Sequence, residues 1–168
     1  MIGLFLLKPQ ALVNPLIEAD IMEKIKSNFE ILSTKLVKVD KEIFLAHQPK
    51  VKNDLENGKP GVLSILKYFE QGYSKIILVQ GKKALIKADI IKDEIRKKYI
   101  DNDLMIKDND GEIIHFPPNF LHASTNVDEL KNDVKVFFPE WKFRVDIMLS
   151  KYKDLSKKNA PERIKYFK

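Results

Sequence analysis

The run Asn119-Phe120-Leu121-His122-Ala123-Ser124-Thr125-Asn126 places a lone imidazole on a short apolar stretch, directly before a helix signal. A neutral imidazole is a competent nucleophile near pH 7, which suits group transfer through a covalent intermediate. Ser124 or Thr125 is expected to cap a helix whose apolar positions Val127, Leu130 and Val134 recur at spacings of three and four. Asp128 and Glu129 fall in its first turn, where acids are favoured, and such a helix end attracts anions. Asp133 follows roughly two turns beyond the cap, placed to fold back toward His122 and fix its tautomer. The plain alternative is a packed histidine and an exposed helix acid, and the rest of the chain has to decide between them.

The elements that carry these residues belong to a chain of 168 residues, 44% hydrophobic and 32% charged. That is the size and balance of one globular domain with a core of its own. The absence of cysteine excludes disulfides, thiolate metal sites and a cysteine nucleophile, and fits a reducing compartment such as the cytoplasm. No apolar run is long enough to cross a membrane. Met1 to Leu7 is apolar, but it lacks a preceding basic region and a following small-residue cleavage site, so it is expected to be a strand. The charge of +6 is uneven: residues 142–168 hold nine Lys or Arg and three Asp or Glu, so the body is neutral and the tail basic. Such a tail is a solvated helix or an oligomer contact more often than a nucleic-acid site.

Ile2 to Leu7 is almost wholly apolar and suits a central strand buried on both faces, ended by Lys8-Pro9. Asn14-Pro15 opens a helix with Ile17, Ile21 and Ile25 on one face. A strand from Ile31 to Val39 and a helix from Lys41 to His47 follow. Residues 48–60 are polar and contain Asn57-Gly58-Lys59-Pro60, so they are expected to form a loop. Val62, Ile65, Leu66 and Phe69 mark the next helix, Ser74 to Gln80 a buried strand, and Ala84 to Tyr99 a helix carrying Lys87 and Arg96. Residues 100–118 read as a loop or β-hairpin, with Asp108-Asn109-Asp110-Gly111 as a turn rather than a calcium loop. This order predicts an α+β sandwich of the ferredoxin-like, split βαβ kind, its four-stranded antiparallel sheet covered by helices. Residues 1–141 form the domain, and residues 142–168 a basic, helical extension.

Several ordered motifs together resemble the nucleoside diphosphate kinases over roughly residues 2 to 141. They are Lys8-Pro9, Leu45-Ala46-His47, Leu66-Lys67-Tyr68, Gln80-Gly81, Ile95-Arg96-Lys97-Lys98-Tyr99, the Asn119-x-x-His122-Ala123-Ser124 block and Val136-Phe137-Phe138-Pro139-Glu140. The His-Ala-Ser form, preceded by an inserted loop, is similar to a bacterial and archaeal subgroup. The resemblance implies a ping-pong reaction in which His122 takes the γ-phosphate of a nucleoside triphosphate such as ATP and passes it to a nucleoside diphosphate. It implies that Lys8 and Arg96 hold phosphate oxygens, that Mg²⁺ bridges them, and that Asn119 contacts the sugar. Ser124 would support the phosphohistidine region and Asp133 orient the imidazole in place of the family's glutamate. It also implies a homo-oligomer, a hexamer or a tetramer, with no membrane attachment and no nucleic-acid partner.

The chain departs from the family pattern around the substrate. Asp89 stands where an earlier arginine belongs, with Lys87 or Lys92 as substitutes, and a lysine is a point charge rather than a bidentate fork. The helix is too short for the threonine-bearing loop. Gly61 and Gln48 occupy aromatic positions, and Gln10 replaces an aspartate. These departures define the alternative reading, a kinase-like nucleotide-binding or assembly module with impaired catalysis. His47 reads as structural and His115 as a packed loop residue. The three histidines lack the close spacing of a zinc site, and no metal ligands are assigned.

Overall fold

The computed structural model describes residues 1–99, 106–107, 113–114 and 120–158. In chain order its elements are β1 (Ile2–Leu7), α1 (Pro9–Leu12), α2 (Pro15–Asn28), β2 (Glu30–Lys38), α3 (Lys41–His47), α4 (Lys52–Glu56) and α5 (Pro60–Glu70). They continue with β3 (Tyr73–Gln80), α6 (Ala84–Tyr99), β4 (Ile106–Lys107), β5 (Ile113–Ile114), β6 (Leu121–Ala123), α7 (Val127–Phe137) and α8 (Lys142–Lys158).

The main sheet has the order β2-β3-β1-β6, and every neighbouring pair is antiparallel. Consecutive elements thus give the four-stranded, ferredoxin-like α+β arrangement expected from the sequence. All six residues of β1 are buried, because helices cover both faces of the strand at the centre. The period of two divides its side chains: Phe5 and Leu7 join Ile17, Ile21 and Ile25 of α2 and Ala88 and Ile91 of α6. Leu4 and Leu6 pack on the other side with Phe44 of α3, Phe69 of α5 and Leu130, Val134 and Phe137 of α7. Val145 and Leu149 of α8 enter this second cluster. Each buried Leu, Ile or Phe contributes about 1.5–3 kcal/mol relative to an exposed one, so the two clusters fix the sheet between its helices.

The same alternation orients the nucleophile. Leu121 and Ala123 of β6 are buried in the α2/α6 layer, which leaves His122, opposite Leu6, on the face beneath α3 and α7. Lys8, one residue past β1, shares that face and is pinned by its backbone N–H, which donates to the carbonyl of Phe120 at 2.9 Å.

Several local expectations are corrected. The supposed loop at 48–60 contains a 3₁₀ turn, Pro49–Val51, and the helix α4, whose Leu55 is buried in the α3/α7 core. Leu55, with the partly buried Val51 packed against the same core, outweighs the polar composition. A four-residue helix, α1, follows Lys8 directly, with Pro9 at its first position, where its missing N–H is harmless. Neither Ser124 nor Thr125 caps α7: Asn126 does, its Oδ1 accepting from the Glu129 N–H at 2.9 Å. Thr125 instead donates its N–H and its hydroxyl to the Glu129 carboxylate, each at 2.9 Å, closing the turn from outside. Residues 100–118 fall largely outside the described residues; within them β4 and β5 pair antiparallel. No helix among the described residues is long and apolar enough to cross a membrane.

Candidate functional site

Helix α7 turns Leu130, Asp133, Val134 and Phe137 inward, so its apolar stripe carries one acid, and Asp133 is only 2% exposed. A carboxylate so placed must be paired. Oδ1 of Asp133 accepts from His47 Nδ1 at 2.8 Å, and Oδ2 accepts from the Ser124 hydroxyl at 2.7 Å. His122 Nε2 lies 3.1 Å from the same Oδ2. Burial alone would raise the Asp133 pKa, but the hydrogen bonds from His122 and His47 outweigh it and hold the carboxyl well below the usual range. Asp133 is therefore ionised near pH 7.

Burial is also the largest influence on His122, lowering its pKa. The Asp133 hydrogen bond works against this, while His47 and Lys8 add to the lowering. The ring is neutral near pH 7, with its proton on Nε2, donated to Asp133. Among the described residues no hydrogen bond engages Nδ1, so the lone pair there is free to attack.

His47 reaches the carboxylate from α3, where Phe44 and His47 form the buried face. Its ring packs against Phe137, with centroids 5.4 Å apart, and edge-on against His122 at 4.7 Å. Gln48 Nε2 lies 3.2 Å from His47 Nε2. The consistent assignment has the Gln48 amide donating there, which leaves the His47 proton on Nδ1, facing Asp133.

Lys8 is 6% exposed and, among the described residues, has no carboxylate partner; its ammonium lies over the Phe69 ring, 5.3 Å from the centroid. Burial, and then the charge of Arg96, lower its pKa to about 8. A buried cation with no carboxylate beside it attracts an anion. Lys8, Phe69, His47 and His122 line one cavity; a second, beyond His122, is lined by Asp128, Glu129, Asn132 and Asp133. A phosphate favours the first, where the nearest charge is positive.

The structure thus brings together Lys8, His122, Ser124 and Asp133. Arg96 joins them electrostatically from near the end of α6, half exposed and loosely paired with Asp93 at 3.8 Å. Lys87 is not brought to the group. It bonds Asn28 Oδ1 at 3.3 Å, and nine residues of helix separate it from Arg96 by about 13 Å. Asp89 is paired with Lys92 at 2.6 Å, one turn along the same helix. Asn119 and His115 lie outside the described residues. Gln10 is spent on the Tyr68 carbonyl, at 2.9 Å, and on Gln71, at 2.8 Å. Gly81 owes its place to packing, since a Cβ there would sit 2.7 Å from Phe29 Cδ1.

His47 is the residue that sequence reasoning passed over as structural. Two imidazole nitrogens and an Asp133 oxygen lie within 4.8 Å of one another, so distant histidines become close in the fold. That donor set would suit an imidazole-preferring ion, yet the hydrogen bonds at 2.8 and 3.1 Å already satisfy it. It does not suit Mg²⁺, which prefers oxygen ligands and commonly retains water and substrate phosphates.

No protein-family model and no curated protein sequence matches the chain. Solved structures do. The nucleoside diphosphate kinase of Aquifex aeolicus matches with a TM-score of 0.59 at 16% identity, over 82% of this chain and 94% of that one. The Encephalitozoon cuniculi enzyme matches at 0.54 and 18%, over 82% and 88%. The Borrelia burgdorferi enzyme, solved with vanadate and ADP, matches at 0.52 and 16%, over 82% and 86%. Its structural neighbours are thus nucleoside diphosphate kinases, and the chain has the nucleoside diphosphate kinase fold.

Proposed function

We propose that this protein is a nucleoside diphosphate kinase that works through a phosphohistidine at His122. The observation that carries the reading is the pairing of His122 Nε2 with the ionised Asp133, which leaves Nδ1 unprotonated on a ring that lines the same cavity as Lys8. Nδ1 attacks the γ-phosphorus of a nucleoside triphosphate; the N–P bond forms as the bond to the bridging oxygen breaks, and the diphosphate leaves with that electron pair. Asp133 stabilises the positive charge that develops on the ring, as Ser124 holds the carboxylate in place. Lys8 and Arg96 supply positive charge to the phosphate oxygens. A second diphosphate then attacks the phosphoryl group, and His122 returns to its neutral form.

Magnesium enters this scheme with the substrate, bound to its phosphates, and Asn119 is assigned to the sugar. Lys87, set apart on α6, is withdrawn from the phosphate site. The protein acts in the cytoplasm as a homo-oligomer, a hexamer or a tetramer, a state supported by exposed apolar residues such as Leu36, Ile86 and Phe143. The test is direct. Protein incubated with Mg-ATP gains an acid-labile phosphoryl group by intact mass and transfers it to a diphosphate; His122→Ala does neither. A wild type that never gains the group, or a His122→Ala protein that still transfers it, refutes the reading.

A further inference from the structure

We propose that His47 is a positioning residue that aims His122 through the carboxylate the two imidazoles share. The proposal rests on the phosphohistidine reading above and adds a residue to it. An aspartate is one methylene shorter than a glutamate, and a carboxylate held by one partner swings about its Cβ–Cγ bond. Asp133 is denied that freedom. His47 takes Oδ1 at 2.8 Å, while Ser124 at 2.7 Å and His122 at 3.1 Å share Oδ2. The longest contact is the one to the nucleophile, so the two shorter ones decide where the carboxylate faces. Ser124 draws on the same oxygen as His122, whereas His47 alone holds the other.

His47 is itself fixed. It is 5% exposed, wedged between Phe69 and Phe137, and its second nitrogen meets Gln48. A residue serving only as core filler would be apolar here, because an imidazole donating to a buried carboxylate brings desolvation that a leucine avoids.

The shared carboxylate also links the two rings electronically. The His47 N–H withdraws charge from Asp133 and makes it a weaker base toward His122, which favours the neutral ring. Lys8, from the end of β1, acts in the same sense; Asp133 and Glu129 of α7 act against it. Removing the His47 donor would therefore make His122 easier to protonate and leave Asp133 held through Oδ2 alone.

Ring-nitrogen NMR titration of the wild type, His47→Asn and His47→Leu tests this, together with the rate of phosphohistidine formation from Mg-ATP. Asparagine keeps an N–H near the Nδ1 position; leucine does not. The wild type is expected to show His47 as the Nδ1–H tautomer. His47→Leu should raise the midpoint of the His122 titration and slow phosphorylation about ten- to a hundredfold at saturating nucleotide with KM unchanged, and His47→Asn should recover most of both. An Nε2–H tautomer in the wild type overturns the proposal, with no variant needed. So does a folded His47→Leu protein with an unaltered His122 titration and rate, or a His47→Asn protein as impaired as His47→Leu. If the wild type takes up no phosphoryl group, the functional reading fails, while the tautomer and the His122 titration still decide the role of His47.

Discussion

The two sides of the site are built differently. Around Asp133, His47 from α3 and His122 and Ser124 from β6 and its end meet at 2.7 to 3.1 Å in a buried pocket. Along α6, Lys87, Asp89, Lys92 and Arg96 are at least partly exposed, and their contacts are local or with the neighbouring α2. Buried polar groups must all be satisfied at once, so no member of the first set can change alone without stranding the others. Exposed helix charges are weakly coupled and replaceable. The departure at Asp89 falls where replacement is easy, whereas Asp133, standing where the resemblance implies a glutamate, falls among groups that must be satisfied together.

Substitutions should expose that asymmetry. The largest effect is expected for Asp133→Asn, whose amide would turn a donor toward His47 or His122. Phosphohistidine formation should fall by about two to three orders of magnitude, and unfolding by denaturant should show a loss of about 3 kcal/mol. Lys8→Met should separate stability from function. Wild-type kcat/KM should decline as pH rises past about 8, where Lys8 loses its proton, and the variant should be slow throughout and lack that decline. Because the folded-state pKa of Lys8 lies below its unfolded value, the charged lysine opposes folding. The variant should therefore be more stable by about 1–3 kcal/mol at pH 7, with the gain shrinking above about pH 8. The smallest effects belong to α6: Arg96→Ala should weaken nucleotide binding only about three- to tenfold and salt-dependently. Lys87→Ala should change neither kcat/KM nor, by more than about 0.5 kcal/mol, stability. An α6 variant as damaging as Asp133→Asn would break the contrast.

Much of this was legible in the residues. Apolar runs in β1 and β3 and the helical period from Pro15 and Ala84 specify the sheet and its α2/α6 cover, because burial on that scale leaves an unmistakable pattern. Asp133 was legible as a partner of His122, and its place on the inward stripe of Leu130, Val134 and Phe137, where an exposed acid does not belong, supports that reading. His47 carried the same signal beside Phe44. Two polar residues in inward positions imply a buried pair, but only the fold says which residues pair. The helix α4 was hidden for a different reason, since two apolar residues, Leu55 and Val51, hold an otherwise polar segment. The Asn126 cap was missed because Ser124, an equally good capping residue, is taken up by Asp133.

The short strand β6 also has a consequence for how the protein comes to life. It is three residues long, and its partner in the main sheet is β1, from the opposite end of the chain. Such a contact closes a longer loop than the pairing of β1 with β3 and rests on only three residue pairs. His122 and Ser124 meet Lys8 only when that docking is complete. Competence to accept a phosphoryl group can therefore report the docking of the last strand without any added label.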